Sequence, residues 1–289
     1  MRVAVVGLGG VGGYLAANFA KAGIDVVGFA RGEHKEAIQK NGLMVEEDDK
    51  SYKVSLKLND CSKPFDVVVF CVKSYDLYES IKEMQGCITN KTVVISLANG
   101  VANAQLLQEH TDGIVVEGIV YILSFIKAPG VIRKKGKVFS VVFGTNEILA
   151  SLFEQAKLRF KQSDDIQKEL WKKYIFIAAF ALLTSYYNKS IYQVVSTHYE
   201  EARHILKEIA FIAKRKGIDI DKEVEKSLKV AQTLPKDATT SMHKDFKNNA
   251  KTELDSLGGY LVQSAKELGT AVPMIEKVYK ELKNRYESL

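Results

Sequence analysis

The sequence predicts an α/β protein: an N-terminal parallel sheet covered by helices on both faces, followed by an all-helical C-terminal half. Three observations predict it. Strand and helix signals alternate from Val3 to about Leu97, and the strands are continuous apolar runs, as strands buried on both faces must be. A glycine-rich turn stands between the first strand and the first helix. Beyond about residue 165 the strand signals stop and helical stretches follow one another. A chain of 289 residues accommodates two domains, expected at 1–164 and 165–289.

Val3–Val6 reads as a buried strand, and Tyr14–Ala22 as a helix stopped by Gly23. Asp25–Ala30, Phe65–Cys71 and Thr92–Leu97 are further strands, with a helix over Asp76–Gln85 before the last. Val115–Leu123, Val131–Arg133 and Val138–Phe143, separated by Pro129-Gly130 and Gly136, read as an antiparallel extension of the sheet. In the second half, Asp164 with Gln167 three residues on caps a long helix through Trp171. Helices follow at Tyr199–Lys216, Asp221–Gln232, Ser241–Asn249 and Glu253–Leu268, and a last one starts at Pro273.

Composition excludes several classes. With 46% apolar and 26% charged residues the chain is an ordinary globular one. Its longest apolar stretch, Ile175–Leu183, is about half a membrane span, so no membrane segment is expected. Glycines interrupt the N-terminal apolar run before it could form a signal-peptide core, and a cytoplasmic chain is expected. Cys61, Cys71 and Cys87 are too few for a disulfide framework and lack metal-ligand spacing, as do the five histidines, so no metal is expected. The net charge of +6 comes from scattered lysines without interleaved aromatics, which fits a solvated surface rather than a nucleic-acid face. Such a field favours anionic small molecules.

Gly7-Leu8-Gly9-Gly10-Val11-Gly12 matches G-x-G-x-x-G between a strand and a helix. The first glycine permits the tight turn, the second lets a pyrophosphate approach the backbone, and the third allows close helix–strand packing. The helix amides then face the anion. The end of the second strand selects the dinucleotide. There the chain reads Gly28-Phe29-Ala30-Arg31-Gly32, with no Asp or Glu for a ribose 2′-hydroxyl; Glu33 lies beyond Gly32. A guanidinium in that place pairs with a 2′-phosphate, so the expected cofactor is NADP(H).

Five stretches together resemble the ketopantoate reductase (2-dehydropantoate 2-reductase) family. They are the Gly7 loop with Arg31, Val72-Lys73, Ala98-Asn99-Gly100-Val101, Glu169-Leu170-Trp171-Lys172-Lys173, and Ser241-Met242 followed by Glu253-Leu254-Asp255. The resemblance implies a Rossmann domain plus a helical domain, with the active site in the cleft between them. It implies reduction of a 2-oxo acid to a 2-hydroxy acid by NADPH; with ketopantoate this would serve pantothenate and coenzyme A synthesis. Lys173 matches the family's catalytic lysine, which supports and protonates the carbonyl oxygen, and Glu253 matches its active-site glutamate. Ser241 matches the serine on the substrate carboxylate, Asn99 the asparagine at nicotinamide and substrate, and Lys73 the lysine near the cofactor. Asn188 corresponds to a further polar substrate-site residue.

One departure stands out. Ketopantoate-reducing members carry asparagines four and eight residues after the catalytic lysine, on the same helix face; here those positions are Ile177 and Ala181. The substrate wall is thereby apolar, which leaves open either ketopantoate with other contacts or a more apolar 2-oxo acid. A non-catalytic NADP-binding sensor is a further alternative. It would need only the glycine loop and Arg31. His243, two residues past Ser241, is the one histidine placed near the site. The helical half could bury an apolar face within itself or against a second copy, so a homodimer also stays open.

Overall fold

In β1 (Arg2–Val6) every residue after the first is buried, and its side chains divide between two cores. Val3 and Val5 point to one face of the sheet, Ala4 and Val6 to the other. A strand that is apolar on both faces needs helices on both. The computed structural model, which describes residues 1–287, supplies them. The chain divides into two compact units. One holds Met1–Ala98 and Asn103–Ile166; the other holds Asn99–Ala102 and the chain from Gln167. Ser288 and Leu289, included in the expected second domain, lie outside the described residues.

In the first unit β1 is followed by α1 (Gly10–Lys21), β2 (Asp25–Phe29), α2 (Gly32–Asn41), β3 (Leu43–Glu46), β4 (Ser51–Val54) and β5 (Lys57–Leu58). Next come β6 (Val67–Phe70), α3 (Leu77–Met84), β7 (Val93–Ser96) and α4 (Asn103–His110). A long hairpin of β8 (Ile114–Ala128) and β9 (Val131–Gly144), then α5 (Glu147–Gln155) and β10 (Phe160–Ser163), complete it. Among the described residues the ten strands form one sheet in the order β4-β3-β9-β8-β7-β6-β1-β2-β5, with β10 on β9. The central pairs β2–β1–β6–β7–β8 are all parallel, as a Rossmann-type sheet requires. Leu15 and Phe19 of α1 and Leu152 of α5 cover one face; Leu77 and Ile81 of α3 and Leu107 of α4 cover the other.

The structure corrects the sequence expectation in four places, besides adding elements that the sequence did not mark, such as α2, β3–β5, α4, α5, β10 and a helix over Ile191–Thr197. The first helix starts at Gly10, not Tyr14, because Gly9 is its N-cap. Val131–Arg133 and Val138–Phe143 are one strand running through Gly136, paired antiparallel with β8 and bulged twice. The helix expected over Glu253–Leu268 opens instead with a π-helical turn, Asp255–Gly259. Finally, Cys61 and Cys87 are joined by a disulfide with Cα atoms 5.6 Å apart, within the usual span of such bridges. Their sequence spacing gave no sign of it.

The second unit is all helical: α6 (Ile166–Tyr187, of which Ile166 belongs to the first unit), α7 (Ile191–Thr197), α8 (Tyr199–Arg215), α9 (Asp221–Thr233), α10 (Ser241–Lys247), α11 (Tyr260–Glu267) and α12 (Pro273–Glu287). The middle of α6 is buried nearly all round, from Ala178 to Ser185. A helix apolar on every side must be the centre of its bundle. No helix among the described residues is long and apolar enough to cross a membrane.

Candidate active site

The glycine loop sits between β1 and α1. Gly7 has φ +91°, a conformation that favours glycine, and a Cβ there would meet the Val72 backbone nitrogen at 2.9 Å. A Cβ on Gly12 would strike the Gly7 carbonyl, so the third glycine is what lets α1 pack so close to the turn. Over Gly9, by contrast, the space is open: nothing lies within 4 Å of an added Cβ. The first turn of α1 contains no acidic residue. A helix N-terminus with its positive end unmatched by a carboxylate, beside an open glycine, fits a dinucleotide pyrophosphate.

Arg31 caps the start of α2 from the end of β2. Its Nη2 donates to Glu83 Oε1 at 2.6 Å, with both side chains about 60% exposed. A surface pair of this kind contributes about 1 kcal/mol at most, so a phosphate dianion can take the guanidinium from Glu83. Lys73 follows β6, half-buried, at the start of a single turn of 3₁₀ helix, Ser74–Asp76.

Asn99, Lys173 and Glu253 come together in the second unit. Lys173 Nζ donates to Asn99 Oδ1 at 3.2 Å. Burial pulls the Lys173 ammonium down to about 8, and the charge of Glu253 opposes that fall. Glu253 is itself only 2% exposed. It precedes the π-helical turn, whose extra residue shifts the register of the backbone. Tyr174, the neighbour of Lys173 on α6, secures that turn by donating its hydroxyl to the Leu257 carbonyl at 2.7 Å. Gly258 allows the turn to pack, since a Cβ there would meet Leu182 Cδ2 at 2.9 Å. Nothing in the sequence marks Tyr174 for this role.

Ser241 and Asn188 belong to a second cluster. Thr240, not Ser241, is the N-cap of α10, its side chain accepting from the His243 amide; Ser241 is the exposed first residue of the helix. The Thr240 hydroxyl meets that of Thr184 at 2.9 Å. Thr184 stands eleven residues past Lys173, about 16 Å along α6. Asn188, just beyond α6, accepts from His243 Nε2 at 2.9 Å, and His243 Nδ1 lies 2.6 Å from the Thr239 hydroxyl. Both nitrogens of this buried ring are engaged: the Thr239 bond ties it to the segment entering α10, and the Asn188 bond joins α10 to the end of α6. Between the clusters, Ile177 is half-buried and Ala181 is 3% exposed. Among the described residues no three His, Cys, Asp or Glu side chains are grouped to hold a metal ion.

Two family models cover most of the chain: ketopantoate reductase PanE/ApbA over residues 3–147 and its C-terminal domain over 165–286. The uncharacterized oxidoreductase YkpB of Bacillus subtilis (strain 168) is 31% identical, over 98% of each chain. The crystal structure of a PanE/ApbA family ketopantoate reductase from Ralstonia eutropha JMP134 superposes with a TM-score of 0.93 at 27% identity, covering 100% of this chain and 99% of that one. A ternary structure of D-mandelate dehydrogenase with NADH and anilino(oxo)acetate shares the fold, with a TM-score of 0.90 at 20% identity over 100% and 99% of the two chains. The two-part architecture, the glycine loop and these likenesses lead to one conclusion: the chain belongs to the ketopantoate reductase PanE/ApbA family and is a Rossmann-fold oxidoreductase with an NAD(P)H-binding domain.

Proposed function

We propose that this protein reduces a 2-oxo acid to the 2-hydroxy acid with NADPH, and that ketopantoate is its substrate. The observation that carries the reading is the Asn99–Lys173 hydrogen bond, with Lys173 tuned to about 8 beside the buried Glu253. An ammonium in that range is mostly protonated at neutral pH, yet gives up its proton readily. When bound, NADPH supplies the hydride. The glycine loop and the first turn of α1 hold the pyrophosphate, Arg31 exchanges Glu83 for the 2′-phosphate, and Lys73 adds positive charge near the cofactor. Lys173 donates to the substrate's keto oxygen and passes its proton as negative charge develops there. Asn99 fixes the direction of that ammonium and Glu253 sustains its charge, while Ser241 and Asn188, in the cluster at the far end of α6, are assigned to the substrate by the family resemblance alone.

A second reading rests on Ile177 and Ala181. Neither side chain offers a hydrogen bond, and a buried polar group left without its partner costs about 1–3 kcal/mol, one to two decades in rate. A 2-oxo acid with an apolar side chain would lose nothing against that wall. D-mandelate dehydrogenase, whose name denotes an aryl 2-hydroxy acid, shares this fold.

NADPH consumption with ketopantoate and with branched and aromatic 2-oxo acids separates the readings. The first expects ketopantoate to give the highest kcat/KM, and the second an apolar acid. Binding of NADPH with no 2-oxo acid reduced contradicts both. Arg31→Ala, in the same assay, is expected to raise the KM for NADPH and leave that for NADH unchanged.

A further inference from the structure

His34 stands three residues after Arg31, in the first turn of α2, and both its ring nitrogens meet backbone groups of distant segments. Nε2 lies 2.8 Å from the Leu8 carbonyl of the glycine loop. Nδ1 accepts the Gly130 amide, from the turn between β8 and β9, at 3.0 Å. A carbonyl can only accept and an amide can only donate, so these partners fix the ring as a neutral imidazole with its proton on Nε2. Burial lowers its proton affinity and keeps it so, the Leu8 carbonyl acting in the opposite sense.

Both contacts are rigidly backed. A Cβ on Gly130 would meet Ala37 Cβ at 3.2 Å, and the Gly130 carbonyl accepts from Met44 N at 2.9 Å, so the turn is set against α2 and β3. Leu8 is 2% exposed, and its side chain fills the space above Gly28, where a Cβ would meet Leu8 Cδ1 at 2.6 Å. In a planar trans peptide the carbonyl of one residue and the amide of the next point in opposite directions, and the Leu8–Gly9 bond is trans. Holding the Leu8 carbonyl toward His34 therefore turns the Gly9 N–H away from it. Gly9 is the residue of the loop with open space above it.

We propose that His34 is a positioning residue for the dinucleotide: its Nε2–H fixes the Leu8–Gly9 peptide plane so that the Gly9 amide is preset as a donor to the pyrophosphate. The inference rests on the glycine loop being the cofactor loop, as set out under the proposed function. It concerns the pyrophosphate, which NADPH and NADH share, and not the 2′-phosphate.

Isothermal titration of the full-length protein with NADPH and with NADH tests it, using wild type, His34→Gln, His34→Asn and His34→Ala. The glutamine amide N–H reaches the place of Nε2, whereas the asparagine carbonyl takes only the place of Nδ1. Gln is expected to bind both nucleotides within about twofold of wild type. Asn and Ala are expected to raise both Kd values by the same factor, about tenfold, the scale of one hydrogen bond. Equal Kd values in all four proteins overturn the proposal. So do Gln and Asn variants as weak as Ala, which indicate a packing role only. A wild type that binds neither nucleotide instead removes the cofactor-loop reading on which the proposal stands.

Discussion

Lys173 is flanked on its own helix by Lys172 and Lys168, and local sequence does not distinguish the three. Their surroundings do. Lys172 reaches back to Glu169 at 3.2 Å on the same helix, an interaction of a few tenths of a kcal/mol. Lys173 meets Asn99 from a remote part of the chain and is desolvated. The resemblance singles out Lys173, but its proton affinity becomes readable only once burial is known. Desolvation also gives a stability test. The ammonium falls from an ordinary 10.5 to about 8 on folding. Below about pH 8 it is charged in both states and the burial penalty is fully present. Between about 8 and 10.5 the folded protein releases a proton that the unfolded chain keeps, so stability rises with pH over that window. Lys173→Met lacks the titrating group and leaves the buried Glu253 without its cation, so the pH dependence of the difference is the readout. Wild type is expected to gain Tm relative to Lys173→Met as pH climbs from about 8 towards 10.5; a difference that stays constant over that window counts against a desolvated ammonium. Ser241 shows the converse case: the resemblance singles it out, yet it stands exposed at the start of α10, capped by Thr240 one residue earlier.

Elements were legible where their pattern was dense and illegible where it was thin. Strands such as Val67–Phe70 and Val93–Ser96 are buried at every position and, but for Ser96, apolar throughout, so they declare themselves. α2 buries a single residue, Ile38, and β4 and β5 contain no fully buried residue, so these elements carry too little periodicity to be seen. Gly136 reads locally as a break and does fall in a bulge, since the β8–β9 pairing jumps from Lys134 to Phe139, but the ladder resumes on both sides and keeps one strand. The π-helical turn after Glu253 was hidden for a similar reason, because tertiary contacts from Tyr174 and Tyr279 select it over an ordinary helix start. Tyr174→Phe leaves the Leu257 carbonyl without the buried hydroxyl that serves it, at an expected cost of about 1–3 kcal/mol. Trp171 is the sole tryptophan of the chain, is 1% exposed and lies against Tyr174 with ring centroids 5.5 Å apart. Its fluorescence during urea unfolding therefore reports on the helical unit, and a midpoint identical to wild type would deny the hydroxyl this role.

For the whole molecule, the division of labour was visible from the start: a parallel sheet with a glycine loop, then a helical bundle. The finer partition was not, because Asn99–Ala102 follow a strand of the first unit yet count with the second. Such an assignment depends on contacts between residues far apart in sequence, which neither periodicity nor capping reveals. The Cys61–Cys87 disulfide is of the same kind, closing a separation of 26 residues that no spacing rule marks. The reading of the molecule as a reductase turns on the charge of one ammonium and the carboxylate beside it. The pH dependence of kcat for 2-oxo acid reduction, in wild type and Glu253→Gln, tests this most directly. Loss of rate as pH rises through about 8 is expected for wild type, since the protonated lysine is the active form. In Glu253→Gln the same limb should move to lower pH, because the charge that raises Lys173 is gone. A wild-type rate that stays level through pH 8 and beyond, or a limb that Glu253→Gln leaves in place, would contradict Lys173 as the proton donor.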